Sequence, residues 1–151
     1  MKHLIIALLV TLFASTSFAA DITVEMLNKR KSDNQTMVYS EDISRIDVGD
    51  TITWVPTTKG HNVHFLAGPD GWDIPKKSKF NKEVSITFDT PGIYYYQCTP
   101  HKSMGMIALV VVGGDTSNKE AIAKIRAMGK SKKKLKALLD CLLYTSDAAD
   151  D

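Results

Sequence analysis

Residues 92–113, GIYYYQCTPHKSMGMIALVVVG, constrain the fold of this chain more than any other stretch. Two strand-forming runs, GIYYYQC and MIALVVVG, flank a loop that carries a cysteine, a histidine and two methionines. Aromatic and β-branched residues fit a pleated surface, and a continuous apolar run such as the second suits a strand buried on both faces. Period-two alternation puts Tyr94, Tyr96 and Cys98 on one face of the first run and Ile93, Tyr95 and Gln97 on the other. With the Cys98 face turned to the core, the thiol enters one end of the protein just above packed aromatics. Pro100 stiffens the following turn, His101 comes next, and Met106 closes the loop as the final strand begins. One loop therefore offers a thiol, an imidazole and a soft thioether.

The chain before it supplies partners for those strands. ITVEM, DTITWV and EVSITF alternate apolar and polar residues, the pattern of half-buried strands in an antiparallel sandwich. Turn signals fall between them at Gly49–Asp50, in AGPDGWDIP and at Pro91–Gly92. From residue 115 the period changes. Ser117 to Glu120 match a capping box, and Ile122, Ile125 and Met128 form one apolar stripe that ends before Gly129. A second helix is expected from Ser131, with Leu135, Leu138, Leu139 and Leu142 at helical spacing and Lys132, Lys133, Lys134 and Lys136 on a solvated side.

The N-terminus and the composition limit the function class. Lys2, the apolar run Leu4–Phe13 and small residues up to Ala19 read as a signal peptide cleaved after Ala19; the run is shorter than the roughly 20 residues a membrane span needs. Exported proteins meet an oxidising compartment, where two cysteines would ordinarily pair. Here Cys98 lies in a ligand-rich loop and Cys141 near a tail, CLLYTSDAADD, whose composition breaks abruptly from the lysine-rich helix. Residues 141–151 are accordingly read as non-native. The expected organisation is a signal peptide at 1–19, a β-sandwich at 20–114, a helical extension at 115–140 and that tail. With 44% hydrophobic and 24% charged residues the chain is globular, and a net charge of +2 lacks the strong basic excess of a nucleic-acid binder.

Cys98, His101 and Met106 need a fourth ligand to make a metal site, and after removal of His3 only His61 and His64 remain. In the extended segment KGHNVHF the two point to opposite faces. Gly60 lets backbone approach closely beside His61, so His61 is the expected ligand, with His64 the alternative. Two imidazoles, a thiolate and a weak axial thioether form the donor set of a blue-copper electron-transfer centre. A Cys98–His101 nucleophilic pair would need an oxyanion hole that no motif supplies, and would leave Met106 without a task. Structural zinc takes four Cys or His ligands, more than are available. Met104, inside the loop, is expected to pack at the surface.

Taken together, GHNV, CTPH and MGMIALVVVG resemble the cupredoxin family, and the resemblance spans about residues 20–140, including the opening DITVEMLNK and the helical extension. It implies an all-β fold: a cupredoxin-like Greek-key β-sandwich of about eight strands with two C-terminal helices. It further implies one copper ion, Cu(II)/Cu(I), held by His61, Cys98, His101 and Met106. Asn62 would link the ligand loops and give its backbone amide to the cysteine sulfur, Met37 would pack near His101, and Tyr94 would lie on a tyrosine-corner strand. The implied role is a periplasmic, monomeric, non-enzymatic electron carrier, taking electrons from c-type cytochromes to copper nitrite reductase or another denitrification enzyme by transient docking, without stable membrane association. His101 would sit beneath an apolar patch with Pro100 and Met104, ringed by Lys29, Lys59 and Lys102, with Lys76, Lys77 and Lys79 farther out. Gln97 and Lys102 depart from the family pattern, which often has lysine before the cysteine and an apolar or aromatic residue after the histidine. A periplasmic copper storage or delivery protein is the alternative reading.

Overall fold

A computed structural model describes residues 19–142. The expected signal peptide, apart from Ala19, and the end of the tail from 143 onward lie outside the described residues. Eight strands come first: β1 Asp21–Lys29, β2 Thr36–Tyr39, β3 Ile43–Ile46, β4 Thr51–Val55, β5 His64–Ala67, β6 Val84–Thr87, β7 Gly92–Gln97 and β8 Ile107–Val112. Two helices follow, α1 Lys119–Ala123 and α2 Lys130–Cys141. The strands form two four-stranded sheets, ordered β2-β1-β4-β6 and β3-β8-β7-β5, which make the cupredoxin-like sandwich that the resemblance implied.

Neither sheet is purely antiparallel, contrary to the pattern read from local alternation. β1 runs parallel to β4, from Asp21 opposite Thr51 to Glu25 opposite Val55, and β3 runs parallel to β8, from Ile43 opposite Leu109 to Ile46 opposite Val112. Alternation reports which face of a strand is buried but carries nothing about the direction of its neighbour.

The last two strands behave as their composition requires. β7 and β8 pair antiparallel, from Gly92 opposite Val112 to Gln97 opposite Ile107, and every residue of both is buried. Tyr94, Tyr96 and Cys98 face the core between the sheets, with Trp54, Phe65, Phe88, Ala108 and Val110. Ile93, Tyr95, Leu109 and Val111 face a second core, closed by Ile122, Leu135, Leu138, Leu139 and Leu142 of the helical region. Burying an aliphatic or aromatic side chain is worth about 1.5–3 kcal/mol, so the helices stabilise the outer face of this sheet rather than decorating it. Within the inner core, Trp54 meets Tyr96 edge-on at 5.3 Å, a favoured aromatic geometry. The Tyr94 hydroxyl donates to Thr90 O at 2.5 Å, the bond back to upstream backbone that defines a tyrosine corner.

The helical region differs from its sequence pattern. α1 has only five residues, and Met128, placed on its stripe, is 52% exposed. The capping box does not form: the N-cap is Asn118, without a side-chain cap bond. Asn118 instead accepts the Ile93 N–H through Oδ1 and donates to Ile93 O through Nδ2, both at 2.8 Å, which satisfies a strand edge. Gly129 opens α2 instead of closing α1. Cys141 ends α2, exposed, and Leu142 packs into the second core.

Candidate metal centre

Where β7 ends, Cys98 continues its inward alternation at the tip of the sandwich. Its N–H donates to Met106 O at 2.9 Å, which carries the β7–β8 pairing one step further and closes the loop between them. Inside the loop, His101 N–H donates to Cys98 O at 3.2 Å, and both Met104 N–H and Met106 N–H donate to His101 O, at 2.9 and 3.3 Å. This tight turn folds the His101 ring back over the thiol.

The second segment, residues 60–63, enters from the loop before β5. It is pinned along residues 78–81: Ser78 N–H donates to Val63 O at 2.8 Å, Val63 N–H to Ser78 Oγ at 2.8 Å, and Asn81 N–H to His61 O at 3.0 Å. Gly60, at φ 96°, makes the turn that a Cβ would strain, and its N–H donates to Asn81 Oδ1 at 2.6 Å. The result brings three donors together. His61 Nδ1 and His101 Nδ1 are 3.2 Å apart, and Cys98 Sγ lies 3.7 Å from the first and 3.4 Å from the second. Among the described residues, His61, Cys98 and His101 form the cluster of donors close enough together to hold a metal ion.

His64 is not in that cluster. It starts β5 opposite Gln97 and is half-buried, and its buried Nδ1 has no hydrogen-bond partner. Met106 and Cys98 are both fully buried in the core between the sheets. Met37 is on β2 in a left-handed conformation, φ 53°, and packs against the same core. Pro100, Lys29, Lys59 and Lys102 are exposed, as is Met104 at 45%.

Two residues absent from the sequence reading shape the site. Asn28, on β1, accepts the His61 Nε2–H through Oδ1 at 2.8 Å. An amide oxygen only accepts, so the proton stays on Nε2 and the Nδ1 lone pair faces the cluster. Tyr39, fully buried, donates its hydroxyl to Asn62 O at 2.8 Å. Asparagine is disfavoured within strands, and an asparagine in MLNK was the one local signal for Asn28.

The electrostatics suit a metal more than a nucleophile. Burial, then the neighbouring His101, lowers His61 to about 4, and burial lowers His101, so both rings are neutral donors at neutral pH. Burial raises the Cys98 thiol, partly offset by the backbone N–H groups of Asn62 and His101 on the sulfur. A thiol raised by burial is a poor free nucleophile; it becomes a thiolate when a metal displaces its proton. Inward-facing imidazole lone pairs beside a sulfur fit one cation, and the pairing of soft sulfur with imidazole favours copper.

The comparisons agree with this chemistry. Residues 24–113 match the family of copper-binding proteins described as plastocyanin/azurin. The chain is 39% identical over 137 residues to a pseudoazurin of Methylorubrum extorquens, covering 89% of this chain and 88% of the relative. It is 38% identical over 128 residues to a pseudoazurin of Paracoccus pantotrophus, covering 83% and 86%. The crystal structure of native pseudoazurin from Hyphomicrobium denitrificans superposes with a TM-score of 0.73 at 36% identity, covering 80% of this chain and 97% of that one.

Proposed function

Since this chain belongs to the pseudoazurins, within the plastocyanin/azurin family of copper-binding proteins, we propose that His61, Cys98, His101 and Met106 hold its copper and that His101 is the edge through which it exchanges electrons. The protein is a blue-copper electron carrier with one copper ion and no catalysis of its own. The bound ion supplies a Cu(II)/Cu(I) couple that accepts or gives one electron.

The convergence of two Nδ1 atoms and one Sγ carries the ligand reading, and Met106, buried beside Cys98 and hydrogen-bonded to it through the backbone, supplies the thioether. The protein's part is to keep these donors still. The Cys98–Met106 bond closes one ligand segment, residues 78–81 line the other, and Asn62 joins the two. Donors held on paired backbone move little when charge changes, which keeps reorganisation small. Cys98 and His61 are fully buried, whereas His101 is half-buried. Its ring is thus the donor nearest a docked protein. The enclosure of Cys98 and His61 favours this role over storage or delivery, which needs a site that exchanges metal readily.

Docking is the work of the surface around His101. In this reading the exposed Pro100 and Met104 form its apolar centre, and the exposed Lys29, Lys59 and Lys102 its basic rim. Such a rim speeds encounter with acidic partners more than it tightens the complex. The partners are c-type cytochromes as donors and copper nitrite reductase or another denitrification enzyme as acceptor, met by a monomer in the periplasm. The basic start and short apolar run of residues 1–19 support export, and no helix among the described residues is long and apolar enough to cross a membrane.

Adding Cu(II) to the metal-free protein should produce an intense blue thiolate-to-copper absorption that is lost in Cys98→Ala. A colourless adduct with the unaltered chain would sink the proposal.

A further inference from the structure

We infer that α2 braces the ligand loop, and that Gly129 is the positioning residue that lets it do so; this rests on reading His61, Cys98, His101 and Met106 as the copper site. The contact is backbone to backbone. Lys130 N–H, at the first position of α2, donates to Ser103 O at 2.9 Å. Ser103 lies between His101 and Met106, on the turn that sets their separation. A Cβ on Gly129 would clash with that same oxygen, and one on Gly105 would meet Lys130 Cβ at 3.8 Å.

Gly129 has φ 55° and ψ −130°, a conformation reserved in practice for glycine. As N-cap it has no side chain to satisfy the first N–H groups of α2, and no side-chain cap bond is present. The Ser103 carbonyl takes the place of a cap. Each side meets a need of the other: the helix start gains an acceptor, and the outer turn of the ligand loop gains a support beyond its own internal bonds.

The helix can bear that load because its other contacts are fixed. Leu135, Leu138 and Leu139 are buried in the second core, and Lys134 is paired with Asp42 at 2.7 Å. α2 therefore joins the outer face of the β8 sheet to the loop that holds Cys98, His101 and Met106, three of the four ligands. A loop held this way resists the outward movement of His101 that copper loss requires.

The test compares three variants. Gly129→Ala drives a methyl group against Ser103 O. Lys130→Pro removes the N–H but suits the first helical position, so it carries the test if Gly129→Ala fails to fold. Gly114→Ala is the control, since Gly114 also has a positive φ, 66°, but has open space around it and lies outside the ligand loop. In metal-free protein, amide hydrogen exchange at Met104 and Met106 should accelerate in Gly129→Ala and Lys130→Pro. In copper-loaded protein, loss of metal to a chelator should quicken by roughly 10-fold, with a shift in midpoint potential. Gly114→Ala should change none of these. Exchange and potential unchanged in both brace variants, or changed equally in Gly114→Ala, overturn the inference. A wild-type chain that does not turn blue with Cu(II) defeats the copper reading instead, and the metal-free exchange still decides the brace.

Discussion

Asn62 Oδ1 accepts the Thr99 N–H at 2.8 Å while Asn62 Nδ2 donates to Thr99 Oγ1 at 3.1 Å, so one amide joins the residue after His61 to the residue after Cys98. Nδ2 also donates to Ser78 O at 3.2 Å, and Asn62 is itself 1% exposed. Removing the amide leaves Thr99 N–H unpaired in a part-buried position, where lost hydrogen bonds are costly.

Asn62→Ala should weaken copper binding about 10-fold, the lower end of the range for groups that orient metal ligands. It should also lower the stability of the metal-free protein by about 2 kcal/mol. Chelator competition reads the first and urea unfolding the second. An unchanged affinity with reduced stability would confine Asn62 to folding.

Met106→Gln should lower the midpoint potential. A thioether is a weak, soft axial donor that favours the cuprous state, whereas an amide oxygen is harder and favours Cu(II). Protein-film voltammetry gives the sign directly. A potential that rises in Met106→Gln, or does not move, removes Met106 from the ligand set.

The ion pairs that tie Asp42, just before β3, to Arg30 and to Lys134 of α2 should appear in acid unfolding. Asp42 meets Arg30 Nη2 at 2.9 Å and Lys134 Nζ at 2.7 Å. Burial pushes its carboxyl up, but Arg30 and Lys134 outweigh burial and hold it below its ordinary 3.8. A carboxylate depressed on folding contributes its full stabilisation above pH 3.8 and loses it as pH falls through the lower folded value. Asp42→Asn should therefore cost about 2 kcal/mol at pH 7 and flatten the stability curve below pH 3.8. Denaturant titrations across that range check both.

Much of this arrangement is legible in the sequence, and the reason is geometric. Period two along GIYYYQC puts Cys98 on the face of Tyr94 and Tyr96, and that is the inner core. The same rule separates His61 from His64, and His61 is the one that joins Cys98 and His101. Relationships that depend on distant pairing were not legible. Asn28 reaches His61 across 33 positions of sequence, and the parallel β1–β4 and β3–β8 pairs leave no trace in local alternation. The capping box read at Ser117 and Glu120 is local, whereas Asn118, which stands at the N-cap, spends its amide on the distant edge of β7. Gly129 was read as a stop signal, since glycine so often follows a helix, whereas its use here is to let α2 approach Ser103.

Lys102→Glu should slow reduction by an acidic redox partner roughly 10-fold at low salt and lose most of that effect at high salt. Lys102 and Lys77 both act on His64 through their charge, which places positive potential on the flank of the ligand loop. Stopped-flow rates over a series of ionic strengths separate this steering from a change at the copper. A salt-independent loss would assign Lys102 to direct contact instead.

The separation of the ligands along the chain has a bearing on how the protein matures. His61 and Cys98 stand 37 positions apart and His101 only three beyond Cys98, while the sheets that unite them depend on parallel pairings between remote strands. Remote pairing is slow to form, because loop-closure entropy is lost before the contact is gained. A newly made chain thus presents a metal with Cys98, His101 and Met106 of one loop, and His61 joins them only once β5 has paired with β7. Blue colour then serves as a certificate of completed folding.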